Sequence, residues 1–247
     1  MALVSLLACL FAGIISADET ENFDALAVQL ETSPPQEQFD IVARLAETGD
    51  PRAVPELIRL LERDMRERTG IAMAIIPALG YLADARATPI LLRSLKYRRD
   101  DWLGREASAA ALGEIGATEA VPALISAAWM ADTRPYAIQA LAKIADPRAV
   151  EVLISALDRE EEGEVRQQAL EGLVRIGAES VPALIVKLAD WSEEYPAIEE
   201  RALAARALGE IGLPGARQAL IKALDDPSEV IRSSARRALN REPGKGG

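Results

Sequence analysis

The chain has 247 residues, of which 49% are hydrophobic but only 4% aromatic, so its core must consist of Ala, Leu, Ile and Val. Its 28 basic and 39 acidic residues give a net charge of −11, which disfavours a nucleic-acid surface because phosphate binding needs clustered Lys and Arg. It has no His and one Cys, which excludes His-dependent catalysis, His-ligated metal sites and intrachain disulfides.

Residues 1–17 carry no charged side chain, and an acidic run begins directly after them at Asp18. This pattern is typical of a signal peptide that is cleaved after Ala17. The sequence therefore predicts export to the periplasm or the outside of the cell, with no integral membrane span after cleavage. An uncleaved anchor and a wrongly assigned start codon are the alternatives. A lipid anchor at Cys9 is disfavoured because apolar residues continue beyond it.

A short phrase recurs along the rest of the chain, and its first copy reads Asp50-Pro51-Arg52-Ala53-Val54-Pro55. The copies begin at residues 50, 84, 117, 146, 178 and 213. A second phrase, typified by Ala111-Leu112-Gly113-Glu114-Ile115-Gly116, closes the units. Two phrases predict two helices per unit, since Asp-Pro favours a helix start and Gly a helix end. Pro77 falls inside the second helix of its unit and is expected to kink it.

The aligned closing phrases form columns of Leu, Ile and Ala, which would let neighbouring helix pairs nest closely. This pattern resembles the HEAT repeat, in the short form of the phycobilisome-lyase HEAT-like group. The resulting fold prediction is an all-α, right-handed α-solenoid of about seven antiparallel helix pairs, without a sheet. The predicted units are an N-terminal capping pair at 18–49, repeats at 50–83, 84–116, 117–145, 146–177, 178–212 and 213–241, and a flexible tail at 242–247.

An arginine recurs at one position of five successive units, and the members of this column are Arg105, Arg134, Arg166, Arg201 and Arg232. In proteins that this sequence resembles, an Asp in the turn and an Arg in the second helix form a ladder between units. The resemblance therefore implies a structural ladder. The alternative is a row of arginines that binds acidic ligands, which the acidic residues just ahead of most of these arginines disfavour.

Six of the seven Trp and Tyr residues fall in or beside the turns between the two helices of a unit: Tyr97, Trp102, Trp129, Tyr136, Trp191 and Tyr195. Because such turns line up along one edge of a solenoid, the six are predicted to form a stripe that binds another protein. The alternative is that each ring packs locally and fills a long loop. Residues 158–200 hold twelve acidic and four basic residues, so the predicted partner is a basic or amphipathic protein segment.

The carboxylates fall on turns and on helix positions expected to be exposed, and no phosphate-binding loop or nucleophile motif is present. The sequence therefore predicts no catalytic residue, no cofactor and no metal, and it favours a non-enzymatic binding scaffold. The alternative, implied by the resemblance alone, is a phycobilin lyase or chaperone-like activity on phycobiliproteins. HEAT-like DNA glycosylases are disfavoured by the acidic charge. HEAT-repeat enzymes of the deoxyhypusine hydroxylase kind bind iron through His, and they are excluded because this chain has no His.

Overall fold

The computed structural model describes residues 23–96, 102–158, 163–190 and 195–241, which form helices α1 to α14 in seven successive pairs. The first helices are α1 (Phe23–Thr32), α3 (Ala53–Glu67), α5 (Thr88–Leu95), α7 (Val121–Ala127), α9 (Val150–Ser155), α11 (Val181–Leu188) and α13 (Pro214–Lys222). The second helices are α2 (Pro35–Glu47), α4 (Ala72–Leu82), α6 (Trp102–Ile115), α8 (Arg134–Ile144), α10 (Gly163–Ile176), α12 (Tyr195–Ile211) and α14 (Glu229–Leu239). No strand occurs among these residues, and the predicted all-α solenoid is confirmed.

The units open and close with the local chemistry that the sequence indicates. The carboxylates of Asp84 and Asp146 accept hydrogen bonds from the backbone N–H groups two residues later, at 2.8 and 2.9 Å, and a short 3₁₀ turn then leads into the first helix. Gly116, Gly177 and Gly212 end their units with φ of 71°, 75° and 66°. Only glycine adopts this left-handed conformation without steric cost.

Alanine replaces glycine at two unit ends. Ala83 and Ala145 have φ of 49° and 54°, so each L-residue is held in the left-handed region. This conformation places Cβ too close to the following carbonyl oxygen, and the two units therefore carry a local backbone strain that the glycine-terminated units lack. Pro77 lies inside α4, which runs without interruption from Ala72 to Leu82.

A continuous aliphatic core lies between the first and second helices. One column of the repeat supplies its centre, because Leu112, Leu141, Leu173 and Leu208 have no exposed surface. The low aromatic content fits this arrangement, since neighbouring helices leave little room for rings.

Neighbouring second helices approach each other through glycine and alanine. A Cβ atom added to Gly80 would lie 2.9 Å from the Cα atom of Ala111 in the next second helix, and one added to Gly113 would lie 2.7 Å from the Cα atom of Ala140. The same close approach occurs at two further steps, Gly172 with Ala142 and Gly209 with Ala238. A larger side chain at any of these glycines would push two helices apart.

The predicted signal peptide at 1–17 and the predicted flexible tail at 242–247 lie outside the described residues. Helices α1 and α2 fall within the range predicted for the capping pair. Within the described ranges, none of the helices combines the length and the apolar character that a membrane crossing requires.

Candidate functional site

Four members of the predicted aromatic stripe cannot be placed: Tyr97 and Trp191 lie outside the described residues, as do the side chains of Trp102 and Tyr195. Trp129 is described in the turn between α7 and α8, where 65% of its surface is exposed. The guanidinium carbon of Arg134 lies 5.6 Å from the centre of a Trp129 ring, which orients the indole by a cation–π contact. Trp129 therefore presents an apolar face to solvent at the turn edge.

Tyr136 has a different environment, because it is half-buried in α8 and its hydroxyl faces the carboxylate of Glu106 in α6. Glu106 is 7% exposed, and burial raises its pKa. Burial also raises the pKa of Tyr136, and the charge of Glu106 adds to the effect. A carboxyl with a raised pKa beside a phenol can hold or transfer a proton nearer to neutral pH than an exposed carboxyl can. No sequence motif surrounds Glu106, so its environment could not be predicted from the sequence.

The column arginines connect neighbouring units. Arg105 in α6 pairs with Asp132 of the next unit at 2.5 Å, and Arg166 in α10 pairs with Glu199 of the next unit at 3.3 Å. Arg201 forms an ion pair with Asp226, also one unit later. Among the described residues, three of the five arginines thus contact a carboxylate of the following unit.

The other two column arginines bind mainly backbone carbonyls. Arg134 donates to the carbonyl oxygen of Ala128 at 2.7 Å, and Arg232 donates to the carbonyl oxygen of Asp226 at 2.6 Å. Arg232 also pairs with Glu229 in its own helix. These contacts hold the turns against the second helices.

A groove lies over the exposed faces of α10, α12 and α14, with a cavity volume of about 620 Å³. Every described lining residue belongs to a second helix except Arg241, which lies two residues beyond the end of α14. The lining consists of Gly163, Arg166, Gln167, Glu199, Ala202, Leu203, Arg206, Val230, Ser234, Arg237, Ala238 and Arg241. The groove is therefore a feature of the second-helix face, and of the predicted turn-edge stripe the two described side chains, Trp129 and Tyr136, do not line it.

The groove is locally basic, although the chain is acidic overall. Arg206 and Arg241 share one carboxylate, that of Glu210, and the Arg206 contact measures 2.9 Å. The guanidinium of Arg237 donates to the Ser234 hydroxyl at 3.3 Å, and no carboxylate among the described residues pairs with it. Among the described residues, the three guanidinium groups of Arg206, Arg237 and Arg241 thus have one carboxylate partner between them, that of Glu210.

The groove lies at a step of the stack that lacks the close glycine contact of the steps on either side. Gly172 of α10 approaches Ala142 of α8, and Gly209 of α12 approaches Ala238 of α14, whereas no glycine of the described residues makes such an approach between α10 and α12. Val174 occupies in α10 the position that Gly113 occupies in α6 and Gly209 in α12, eight residues after the column arginine. In the described part of the chain, α10 and α12 are the least closely packed neighbouring second helices.

No group of three or more His, Cys, Asp or Glu side chains among the described residues has the arrangement needed to hold a metal ion.

The repeat units match known families. Residues 129–195 and 164–240 match the model described as HEAT repeats, and residues 38–63 and 104–128 match the PBS lyase HEAT-like repeat. Together these matches span more than half of the chain. A search of curated proteins finds no significant match.

Solved structures with a similar fold include the complex of CpcE and CpcF of phycocyanin lyase from Nostoc sp. PCC7120. It aligns with a TM-score of 0.55 and 18% identity over 92% of this chain and 97% of that chain. Human deoxyhypusine hydroxylase in complex with glycerol gives a TM-score of 0.45 and 23% identity over 88% and 94% of the two chains. An engineered protein gives 0.43 and 22% over 89% and 96%.

These findings correct one prediction and support another. The prediction that the protein is not an enzyme is wrong, because residues 38–63 and 104–128 match the PBS lyase HEAT-like repeat. The HEAT-repeat scaffold itself is supported. The chain belongs to the HEAT-repeat family, with units of the PBS lyase HEAT-like kind.

Proposed function

We propose that this protein binds another protein along its second-helix face and takes part there in a lyase-type reaction on the bound protein, with phycobiliproteins as the candidate partner class. The observation that carries the proposal is the groove over α10, α12 and α14. It lies in a solenoid of PBS lyase HEAT-like units whose fold resembles a phycocyanin lyase complex. Stacked helix pairs provide a long binding surface that one unit alone could not form.

Glu106 and Tyr136 are the proposed groups for proton transfer in such a reaction. They lie on the neighbouring second helices α6 and α8, where Glu106 is buried and Tyr136 is half-buried. Because burial raises the pKa of Glu106, a larger fraction of this carboxyl is protonated near neutral pH than of an exposed carboxyl. Among the described residues, this is the pair whose environment best suits an acid–base role.

The proposal is tested by mixing the purified protein with a bilin-free phycobiliprotein subunit and free bilin, then separating the products on a denaturing gel. Bilin absorbance that migrates with the subunit only when this protein is present supports the proposal. Glu106→Gln should reduce the attachment rate while circular dichroism stays unchanged. Binding of the subunit without attachment would overturn the lyase part, and neither binding nor attachment would overturn the whole proposal.

The solved phycocyanin lyase is a complex of CpcE and CpcF, so a second experiment tests whether a partner chain is needed. The protein is also co-produced with the subunit in bilin-synthesising cells, with and without a second HEAT-repeat chain. Attachment that requires both chains supports a lyase of two components.

Export with cleavage after Ala17 also remains a proposal, and it rests on residues 1–17 alone. The intact mass of the protein recovered from its native cell, with an N-terminus at Asp18, would support it. The partner should then be sought in the same compartment. An intact N-terminus in the cytoplasmic fraction would contradict export.

A further inference from the structure

We infer that the groove over α10, α12 and α14 binds an acidic, amphipathic segment of the partner protein. This inference rests on the proposed protein-binding function and names the chemistry of the partner. It differs from the expectation drawn from composition, because the net charge of −11 favours a basic partner.

The local charge of the groove supports an acidic ligand. Arg206 and Arg241 share the carboxylate of Glu210, so together they retain an excess positive charge. Arg237 contacts only the Ser234 hydroxyl among the described side chains. A guanidinium group presents paired N–H donors that match a carboxylate, and the pairing strengthens in a partly desolvated groove. Carboxylates of a partner would therefore find unsatisfied donors here.

Apolar surface in the same groove supports an amphipathic segment. Val230 on α14 is 50% exposed, and Leu203 on α12 is half-buried. A partner segment with leucine-like residues on one face would cover these side chains while its acidic residues reach the arginines. This combination of charge and apolar surface favours a peptide segment over a bare anion.

A nucleic acid would fit this groove less well. A chain with a net charge of −11 repels a long polyanion more strongly than it repels a short segment that carries a few carboxylates. The backbone of a nucleic acid would leave Leu203 and Val230 uncovered. The groove therefore favours a protein ligand.

The experiment measures the binding of a fluorescent 16-residue peptide with Glu and Leu at helical spacing to the full protein. A peptide with Lys in place of Glu and a single-stranded DNA oligonucleotide serve as competing probes. The acidic peptide should bind more tightly than the basic one, and its affinity should fall as salt rises. Tighter binding of the basic peptide, binding of DNA alone, or no saturable binding of the acidic peptide would each overturn the inference.

Charge reversal locates the site. Arg237→Glu should weaken binding of the acidic peptide by about tenfold or more. Arg217→Glu makes the same charge change on exposed α13, outside the groove, and should leave the affinity nearly unchanged. Equal effects of the two variants would overturn the assignment. Arg237→Gln provides a second, milder variant, and circular dichroism verifies the fold of each.

The two proposals fail in different ways. If the acidic peptide binds in an Arg237-dependent manner but no bilin attachment occurs with any partner, the proposed lyase function is wrong and the groove assignment stands. If attachment occurs and does not change in Arg237→Glu, the groove assignment is wrong and the proposed function stands.

Discussion

The guanidinium group of Arg201 and the carboxylate of Asp226 form an ion pair that is almost fully excluded from solvent, with side chains only 5% and 6% exposed. Arg201 also donates to the carbonyl oxygen of Leu188 at 2.9 Å. A single side chain of α12 thus connects the end of α11 to the turn before α14. This is the most buried of the column contacts between units.

Loss of this pair should be costly. Asp226→Ala would leave the Arg201 charge buried without its carboxylate, and the free energy of unfolding should fall by about 3–5 kcal/mol. Asp24→Ala removes a carboxylate from the exposed Arg52 pair and should cost less than about 1 kcal/mol. Urea denaturation followed by circular dichroism compares the two. Equal losses would show that burial of the Arg201 pair has no energetic consequence.

Ala145→Gly should stabilise the protein. Ala145 ends α8 with φ of 54°, a conformation that glycine adopts without the steric cost that Cβ imposes. Glycine also has more conformational entropy than alanine in the unfolded chain, which offsets part of this effect. The free energy of unfolding should therefore rise by about 0.5–1 kcal/mol. Thermal unfolding gives the measurement, and Ala142→Gly within the same helix, where φ is helical, serves as a destabilising control. A lower melting temperature for Ala145→Gly would contradict the argument.

Gly113→Val tests the nesting of the second helices. The added side chain would meet the Cα atom of Ala140 at 2.7 Å from the new Cβ atom, so α6 and α8 would have to move apart. Overpacking of this kind costs about 1–3 kcal/mol. The control is Gly163→Val, because a Cβ atom at Gly163 meets nothing within 4 Å. Similar unfolding energies for both variants would argue against close nesting.

The stability of the protein should fall in strong acid, in part through Asp146. Hydrogen bonding to Arg148 lowers the pKa of Asp146 from 3.8 to about 2. Because the folded-state pKa is depressed, the stabilisation is present above about pH 4 and is lost as the pH falls towards 2. Melting temperatures at pH 5 and pH 2.5 should therefore differ less in Asp146→Asn than in the unmodified protein. An identical difference in melting temperature in both proteins would show that Asp146 does not contribute to the loss of stability in acid.

Trp129 remains the best described member of the predicted aromatic stripe. If the turn edge also contacts the partner, Trp129→Ala should weaken partner binding by about tenfold or more. Its stability should change by less than about 0.5 kcal/mol, because 65% of the side chain is exposed. Met130→Ala, at an exposed neighbour, is the matched control. Unchanged binding in Trp129→Ala would leave the second-helix groove as the binding surface.

Local signals made the repeat predictable from the sequence. Asp84 and Asp146 accept from the backbone two residues later, and Gly116 and Gly212 take left-handed conformations, so short-range geometry sets where each unit begins and ends. These features depend on a few adjacent residues and recur in several units. The aliphatic columns then follow from the helical period.

The groove was not predictable in the same way, because it depends on residues far apart in the chain. Arg206 and Arg241 belong to different units and meet at Glu210 only when the units stack. The charge summed over residues 158–200, from which a basic or amphipathic partner is predicted for the turn edge, therefore does not report the local charge of this groove. Glu106 likewise owes its raised pKa to burial against α8, which no local pattern records.

The sparse packing between α10 and α12 has a mechanical consequence. Close glycine–alanine contacts join α4 to α6, α6 to α8, α8 to α10 and α12 to α14, whereas the described residues of α10 and α12 have no such contact. Because these two are the least closely packed neighbouring second helices that the structure describes, a strain applied to the solenoid should be taken up first between them, by rotation of α1–α10 against α11–α14. The mouth of the groove would widen or narrow with that rotation.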